Sequence, residues 1–196
     1  MGKVIASAVV SLDGFVADTE DGVGALFDWY TNGPVEVYGS DPGRPFHVSQ
    51  ASADYINATW PNIRSCVIGR HLFDLTNGWN GVPSVGDRVF VVTHEPPTDW
   101  PFPEAPFTFV NGIENAIAQA KEHAGDHDVV VTGGNLTGQA LAAGLVDEIA
   151  YNLAPVVFGR GVRFFGDYAG EHVLLDNPKV IEGDRVTHLH YRVSKG

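Results

Sequence analysis

The residues with the clearest chemical use lie where the apolar run Val129-Val130-Val131 breaks at Thr132-Gly133-Gly134-Asn135-Leu136-Thr137-Gly138 and reopens as a helical pattern through Leu145. A helix start exposes unpaired N–H groups and the positive end of aligned peptide dipoles, so it suits a phosphate. Paired glycines let a diphosphate approach the main chain without meeting a Cβ atom. Two more apolar runs end on residues of the same bias: Ser65-Cys66-Val67-Ile68 on Gly69-Arg70-His71, and Val89-Phe90-Val91-Val92 on Thr93-His94. Arg70 offers a guanidinium fork to a phosphate, and His71 opens a short helix whose N–H groups can add to it. Thr93 and His94 offer a hydroxyl and an imidazole to a second phosphate. Each has a plainer use, Arg70 in a surface ion pair and Gly133-Gly134 as a tight turn. Three such ends in one chain point to a phosphorylated dinucleotide. The spacing is not GxGxxG and the glycines come late, which excludes the usual dinucleotide-binding unit and implies another α/β architecture.

These ends need strands that carry them to one place. The apolar stretch at residues 4–12 reads as a strand covered on both faces, and the three runs above read likewise. Between them, Ile113, Ala116, Ile117 and Ala120 recur at helical spacing, with Asn111 placed as N-cap and Glu114 three residues on. Leu136, Ala140 and Ala143 share one face of a helix that Gly144 ends. A further helix is expected over residues 49–59, stopped by Pro61. Strand–helix alternation implies parallel strands joined by crossovers. The last third differs. Ile149, Tyr151 and Leu153 alternate with Ala150, Asn152 and Ala154, then come Val173-Leu174-Leu175, Lys179-Val180-Ile181, a turn at Glu182-Gly183-Asp184 and a strand over residues 185–193. That tail reads as antiparallel strands added to the sheet edge. Residues 32–45, 76–87 and 95–106 read as long loops of the kind that bind or cover ligands.

The 196 residues are 44% hydrophobic and 18% charged, which is an ordinary balance for one globular domain spanning 1–196. The net charge of −12 argues against nucleic acid or an anionic membrane as the main partner. A single cysteine, Cys66, permits no internal disulfide, and the N-terminal apolar run is too short for a membrane span, so a cytoplasmic protein is expected. His188 and His190 project from one strand face. With no third ligand nearby, they read as an interface or solvent-facing pair, and no metal site is expected.

The ordered segments Ser11-Leu12-Asp13-Gly14-Phe15-Val16-Ala17, Val67-Ile68-Gly69-Arg70-His71-Leu72-Phe73-Asp74, residues 89–94, residues 131–138, Leu153-Ala154-Pro155-Val156-Val157-Phe158-Gly159-Arg160-Gly161 and His188-Leu189-His190-Tyr191-Arg192-Val193 span nearly the whole chain. Together they resemble the dihydrofolate-reductase-like family that includes the C-terminal reductase domain of the bifunctional riboflavin-biosynthesis deaminase–reductase. The resemblance implies an α/β fold with a mixed, mostly parallel sheet of about eight strands, flanked by helices and closed by an antiparallel C-terminal hairpin. It implies NADPH as cofactor. The diphosphate would lie at Gly133, Gly134, Asn135, Leu136 and Thr137, through a cis peptide between the glycines. Arg70 and His94 would surround the 2′-phosphate, Gly69 and Thr93 would flank them, and His71 would lie near the diphosphate. Residues 8–14 would border the nicotinamide. A homodimer through the C-terminal edge strands is also implied.

A hydride reductase asks the protein mainly for placement and a proton. Asp13, directly after the first strand, is one candidate, and a turn aspartate bonding its own backbone is the other reading of it. Asp54 stands roughly where folate reductases carry their pterin-binding carboxylate, or is an exposed helix residue. Ser7 replaces the lysine of the riboflavin reductases, so their phosphorylated ribosyl-pyrimidine is not implied here. Phe27, Trp29, Tyr30 and Trp79 are candidates to wall a flat heterocycle, or are core anchors. The expected function is therefore hydride transfer from NADPH to a C=N or C=O bond of a small pterin- or pyrimidine-like heterocycle. The rival readings are a non-catalytic nucleotide-binding module or sensor on the same fold, and a flavin-using enzyme.

Overall fold

The first apolar run is buried on both sides because it becomes the middle of a sheet. The computed structural model describes residues 2–194. Among them the elements run β1 (Val4–Ser11), β2 (Phe15–Ala17), β3 (Val35–Tyr38), β4 (Pro45–Val48), α1 (Gln50–Thr59), β5 (Ile63–Gly69), α2 (Arg70–Thr76), β6 (Arg88–Val92), β7 (Phe107–Val110), α3 (Ile113–Ala124), β8 (Asp128–Thr132), α4 (Asn135–Ala142), β9 (Glu148–Ala154), β10 (Val162–Arg163), β11 (Lys179–Glu182) and β12 (Thr187–Arg192). The main sheet has eight strands in the order β11-β12-β9-β1-β8-β5-β6-β7. From β9 to β7 every pairing is parallel. The β11–β12 hairpin joins antiparallel to β9, as the alternating tail predicts.

Alternation along the strands divides the core in two. Val4, Ala6, Val10, Val67, Val129 and Val131 lie under α3 and α4, where Ala116, Ile117, Ala120, Leu136 and Ala140 are buried against them. On the other face α1 and the 3-10 segment Gly24–Tyr30 cover Val9 and Ala154. There Phe73 of α2 packs on Cys66, Ile68 and Val89. Burial pushes the Cys66 thiol up to about 12, so it behaves as a small apolar side chain. No helix of the described residues is long and apolar enough to cross a membrane.

Several local expectations are corrected. Gly112, at φ 84, precedes α3 with no side-chain cap, in place of Asn111. Residues 173–175 are loop, and only Leu175 forms an isolated bridge, to Val193. Residues 107–110, following the Pro-rich loop, form the outer parallel strand β7. Part of the loop expected at 32–45 is β3, paired with β4. Ser49 caps α1 as its position implies, its hydroxyl accepting from the Ser52 N–H at 3.3 Å.

Candidate functional site

Because β6, β5, β8, β1 and β9 are adjacent and parallel, the residues after their carboxyl ends emerge side by side on one edge. The segments Gly69-Arg70-His71, Thr93-His94 and Gly133-Gly134 are therefore brought together. Ligands in such sheets collect outside this edge.

Gly134 takes φ 91 and ψ −160, a conformation open almost only to glycine, and its N–H donates to the Phe164 carbonyl at 2.9 Å. Gly133 packs closely, since a Cβ there would stand 3.0 Å from Val16 and 3.4 Å from Ala8. The glycine pair bends without the expected cis peptide, which is absent among the described residues. Positive φ at Gly134 makes the turn instead. With the Thr137 N–H bonded to the Gly134 carbonyl, the helix start leaves the N–H groups of Asn135 and Leu136 as its open donors. The side chains expected beside them serve the loop. Thr137 is buried and donates to the Thr132 carbonyl at 2.9 Å, while the Asn135 side-chain oxygen accepts from the Asp167 N–H at 3.1 Å.

Arg70 reaches from α2 to the next strand end. Its Nε lies 2.8 and 2.9 Å from the two Asp74 oxygens, and its Nη1 donates to the Glu95 carbonyl at 2.5 Å. The guanidinium thus sits beside Thr93 and the exposed His94. An exposed i,i+4 ion pair is worth little, so Asp74 orients the fork without closing it to a stronger anion. Thr93 is spent on its own turn, accepting from the Glu95 N–H and donating to the Glu95 carbonyl. The His71 Nε2 meets the Asp21 carboxylate at 2.8 Å, so an acidic turn of the chain stands at this helix start.

The two carboxylates expected to supply protons part company. Asp13 accepts from the Ser11 hydroxyl at 2.6 Å and from the N–H groups of Phe158 at 3.1 Å and Gly159 at 2.6 Å. The Ser11 hydrogen bond is the largest influence on the Asp13 carboxyl, and with the Gly159 and Phe158 amides it outweighs the opposing desolvation and holds the group down to about 2. It is ionised at neutral pH, which suits a clamp between the end of β1 and the loop after β9. Replacing Asp13 with Ala is expected to free that loop, with amide exchange at Phe158 and Gly159 rising roughly tenfold. Unchanged exchange would show that the clamp is idle. Asp54 is exposed, bonded to Gln50, and faces a groove of about 300 Å³ with Lys179, His188 and His190 between α1 and the β11–β12 hairpin, away from the strand ends.

A phenol that the motif reading passed over stands nearer. Tyr151 pairs in register with Ala8, and its hydroxyl lies 3.7 Å from where a Cβ of Gly14 would be. Burial, then the Asp13 charge, pushes it up to about 12, so it stays protonated. Its position on an alternating strand was visible, but its neighbours were not.

The aromatic candidates do not form one wall. Trp29 is buried with Tyr30 tilted against it in the cluster that α1 covers, and Phe27 stacks on Tyr30, whereas Trp79 packs with Phe73 and Trp100 on a separate core. His188 is buried rather than solvent-facing, and His190 bonds to Glu148 at 2.6 Å. Among the described residues no group of three or more His, Cys, Asp or Glu is placed to hold a metal.

The sequence profile described as the RibD C-terminal domain matches residues 87–188, more than half of the chain. No curated protein sequence matches significantly. A solved structure described as a candidate riboflavin biosynthesis protein from Shewanella sp. PV-4 superposes with TM-score 0.67 at 21% identity, all of both chains being covered. The Thermotoga maritima diaminohydroxyphosphoribosylaminopyrimidine deaminase/5-amino-6-(5-phosphoribosylamino)uracil reductase gives 0.61 at 15% identity. The match covers 98% of this chain but only 57% of that longer protein. Dihydrofolate reductase from Enterococcus faecalis, solved with NADP(H), gives 0.57 at 16% identity, covering 99% and 98%. These likenesses establish a dihydrofolate-reductase-like, reductase-type fold. With the profile match, they place the chain in the RibD C-terminal domain family.

Proposed function

We propose that the chain is an NADPH-dependent reductase that delivers hydride to a C=N or C=O bond of a small, pterin- or pyrimidine-like heterocycle. The observation that carries this reading is the adjacency of three phosphate-directed strand ends on one edge of a reductase-type sheet. The residues present fit the cofactor. At the buried Gly134 a Cβ would make only an ordinary contact, with Val162 at 3.8 Å, and the exposed Asn135 carries the helix start to the surface beside it. When bound, NADPH supplies the hydride. The chain's part is to hold the diphosphate on those amides, to receive the 2′-phosphate between Arg70 and His94, and to exchange Asp21 for a phosphate oxygen at His71. Tyr151 is the protonated group beside the end of β1. Ser7, in place of lysine, leaves β1 without a cation for a substrate phosphate, which favours an uncharged heterocycle.

The test is cofactor choice. Replacing Arg70 with Ala is expected to weaken NADPH about ten- to a hundredfold, the worth of lost charge-assisted hydrogen bonds, and to leave NADH nearly unchanged. Equal loss for both cofactors contradicts the role. The ionised Asp13 favours one second reading, a nucleotide-binding module without turnover. Oxidation of NADPH with any pterin, flavin precursor or quinone excludes that alternative.

A further inference from the structure

A buried polar chain joins α1 to Ala8, inside β1 and beside the glycine turn. The Ser52 Oγ lies 3.0 Å from His188 Nε2, and His188 Nδ1 lies 2.7 Å from the Asn152 Oδ1. The Asn152 Nδ2 donates to the Ala8 carbonyl at 3.3 Å. Ser52 and His188 are 1% exposed and Asn152 9%. Because the Asn152 amide nitrogen donates to Ala8, its oxygen is the acceptor, so His188 carries its proton on Nδ1 and Nε2 accepts from the Ser52 hydroxyl. Tyr55 stacks on the ring at 4.1 Å and Trp29 meets it edge-on at 5.2 Å. The order Ser–His–Asn is also that of an acyl-transfer triad. Here the turn at Gly183 seals Ser52, so no substrate reaches it.

The far end of this chain gives it a purpose. β1 pairs with β8 only as far as Ser7 and Thr132, after which β8 leaves for the glycine turn. Ala8 is the next residue, and its Cβ stands 3.4 Å from where a Cβ of Gly133 would be. Its carbonyl faces β9, whose ladder with β1 runs on to Ser11 and Ala154, and there it also receives the Asn152 side-chain amide, on the strand that must hold its place after β8 has left. We infer that Asn152, oriented by His188, is a positioning residue that fixes Ala8 of β1 against the Gly133–Gly134 turn and so sets the shape of the cofactor edge. This rests on the reading of that edge as a cofactor site, but its first test needs no cofactor.

The groups facing His188 are Tyr55 and Asp54 from α1, Trp29 from the 3-10 segment, and Lys179 and His190 from the hairpin, with Glu148 beyond His190. In the native protein labelled with ¹³C and ¹⁵N, lowering the pH from 7 to 4 is expected to shift the His188 ring, the Ala8 carbonyl and the Gly133 amide on one titration curve. Ala8 and Gly133 signals that stay still while His188 titrates overturn the proposal. The second test is Asn152→Asp, which keeps an acceptor for His188 and removes the donor to Ala8. NADPH affinity is expected to fall about tenfold at pH 7.5 and to become pH-dependent between 5 and 8. Ser52→Ala, which leaves Asn152 on Ala8, is expected to lower thermal stability with affinity nearly unchanged. Affinity that falls equally in both variants, with no new pH dependence, shows a merely structural role. If native protein binds no NADPH but Ala8 and Gly133 still follow His188, the cofactor reading fails and the coupling stands.

Discussion

Replacing Gly134 with Ala is expected to weaken NADPH binding by about a hundredfold while the chain still folds. At φ 91 and ψ −160 an L residue is strained by about 1–3 kcal/mol, and the loop relaxes by rotating that peptide. Rotation breaks the hydrogen bond to Phe164 and swings the open amides of Asn135 and Leu136 off the phosphate position. No clash is involved, since the added methyl group meets nothing closer than 3.8 Å, so the core under α4 is kept. Gly133 is different, as a side chain there presses on Val16, Phe164 and Ala8 and disturbs folding directly. Fluorescence titration with NADPH beside a thermal melt separates the two effects. Unaltered affinity in Gly134→Ala would remove the glycine turn from the site.

Acid is expected to destabilise the protein through His188. Burial brings this imidazole down to about 4, against an ordinary value of 6.5. The folded state therefore binds its proton less readily than the unfolded chain does. The associated stability is fully present above pH 6.5 and is lost as the pH falls towards 4, reaching about 3 kcal/mol below it. A charged ring would leave Nε2 as a second donor facing the Ser52 hydroxyl, and would sit unpaired against Tyr55 and Trp29. Urea unfolding at pH 7.5, 6 and 4.5 is expected to show the midpoint dropping at each step, with a flatter profile for His188→Gln. Equal midpoints in wild type would show that the imidazole is reached by water or paired after all.

Side-chain types and apolar periodicity go far in this chain because its central strands are parallel and doubly covered. Residues 4–12, 65–68, 89–92 and 129–131 read as short apolar runs, each becomes a central strand, and the residues ending them are forced onto one edge by topology. What fails is local competition and distant pairing. Thr93 and Thr137 have the right chemistry for a phosphate, yet nearby backbone carbonyls take their hydroxyls first. The role of Asp13 depends on Phe158 and Gly159, far along the chain, and no spacing rule links them. Alternation puts His188 and His190 on one face but does not say that α1 covers the first of them. β7 escapes pattern reading because four residues after a proline-rich loop, three of them half-exposed, are too short a pattern to separate strand from loop. Gly112 and Gly125 bound α3 through backbone conformation rather than side-chain caps, so Asn111 was a misleading start signal.

The central claim is that three strand ends bind one coenzyme together. Mapping amide chemical shifts of the ¹⁵N-labelled protein during an NADPH titration tests it most directly. The account predicts saturable shifts at micromolar cofactor, concentrated at residues 69–71, 93–94 and 133–137. An unshifted spectrum at millimolar NADPH, or shifts confined to the groove between α1 and the hairpin, would contradict it.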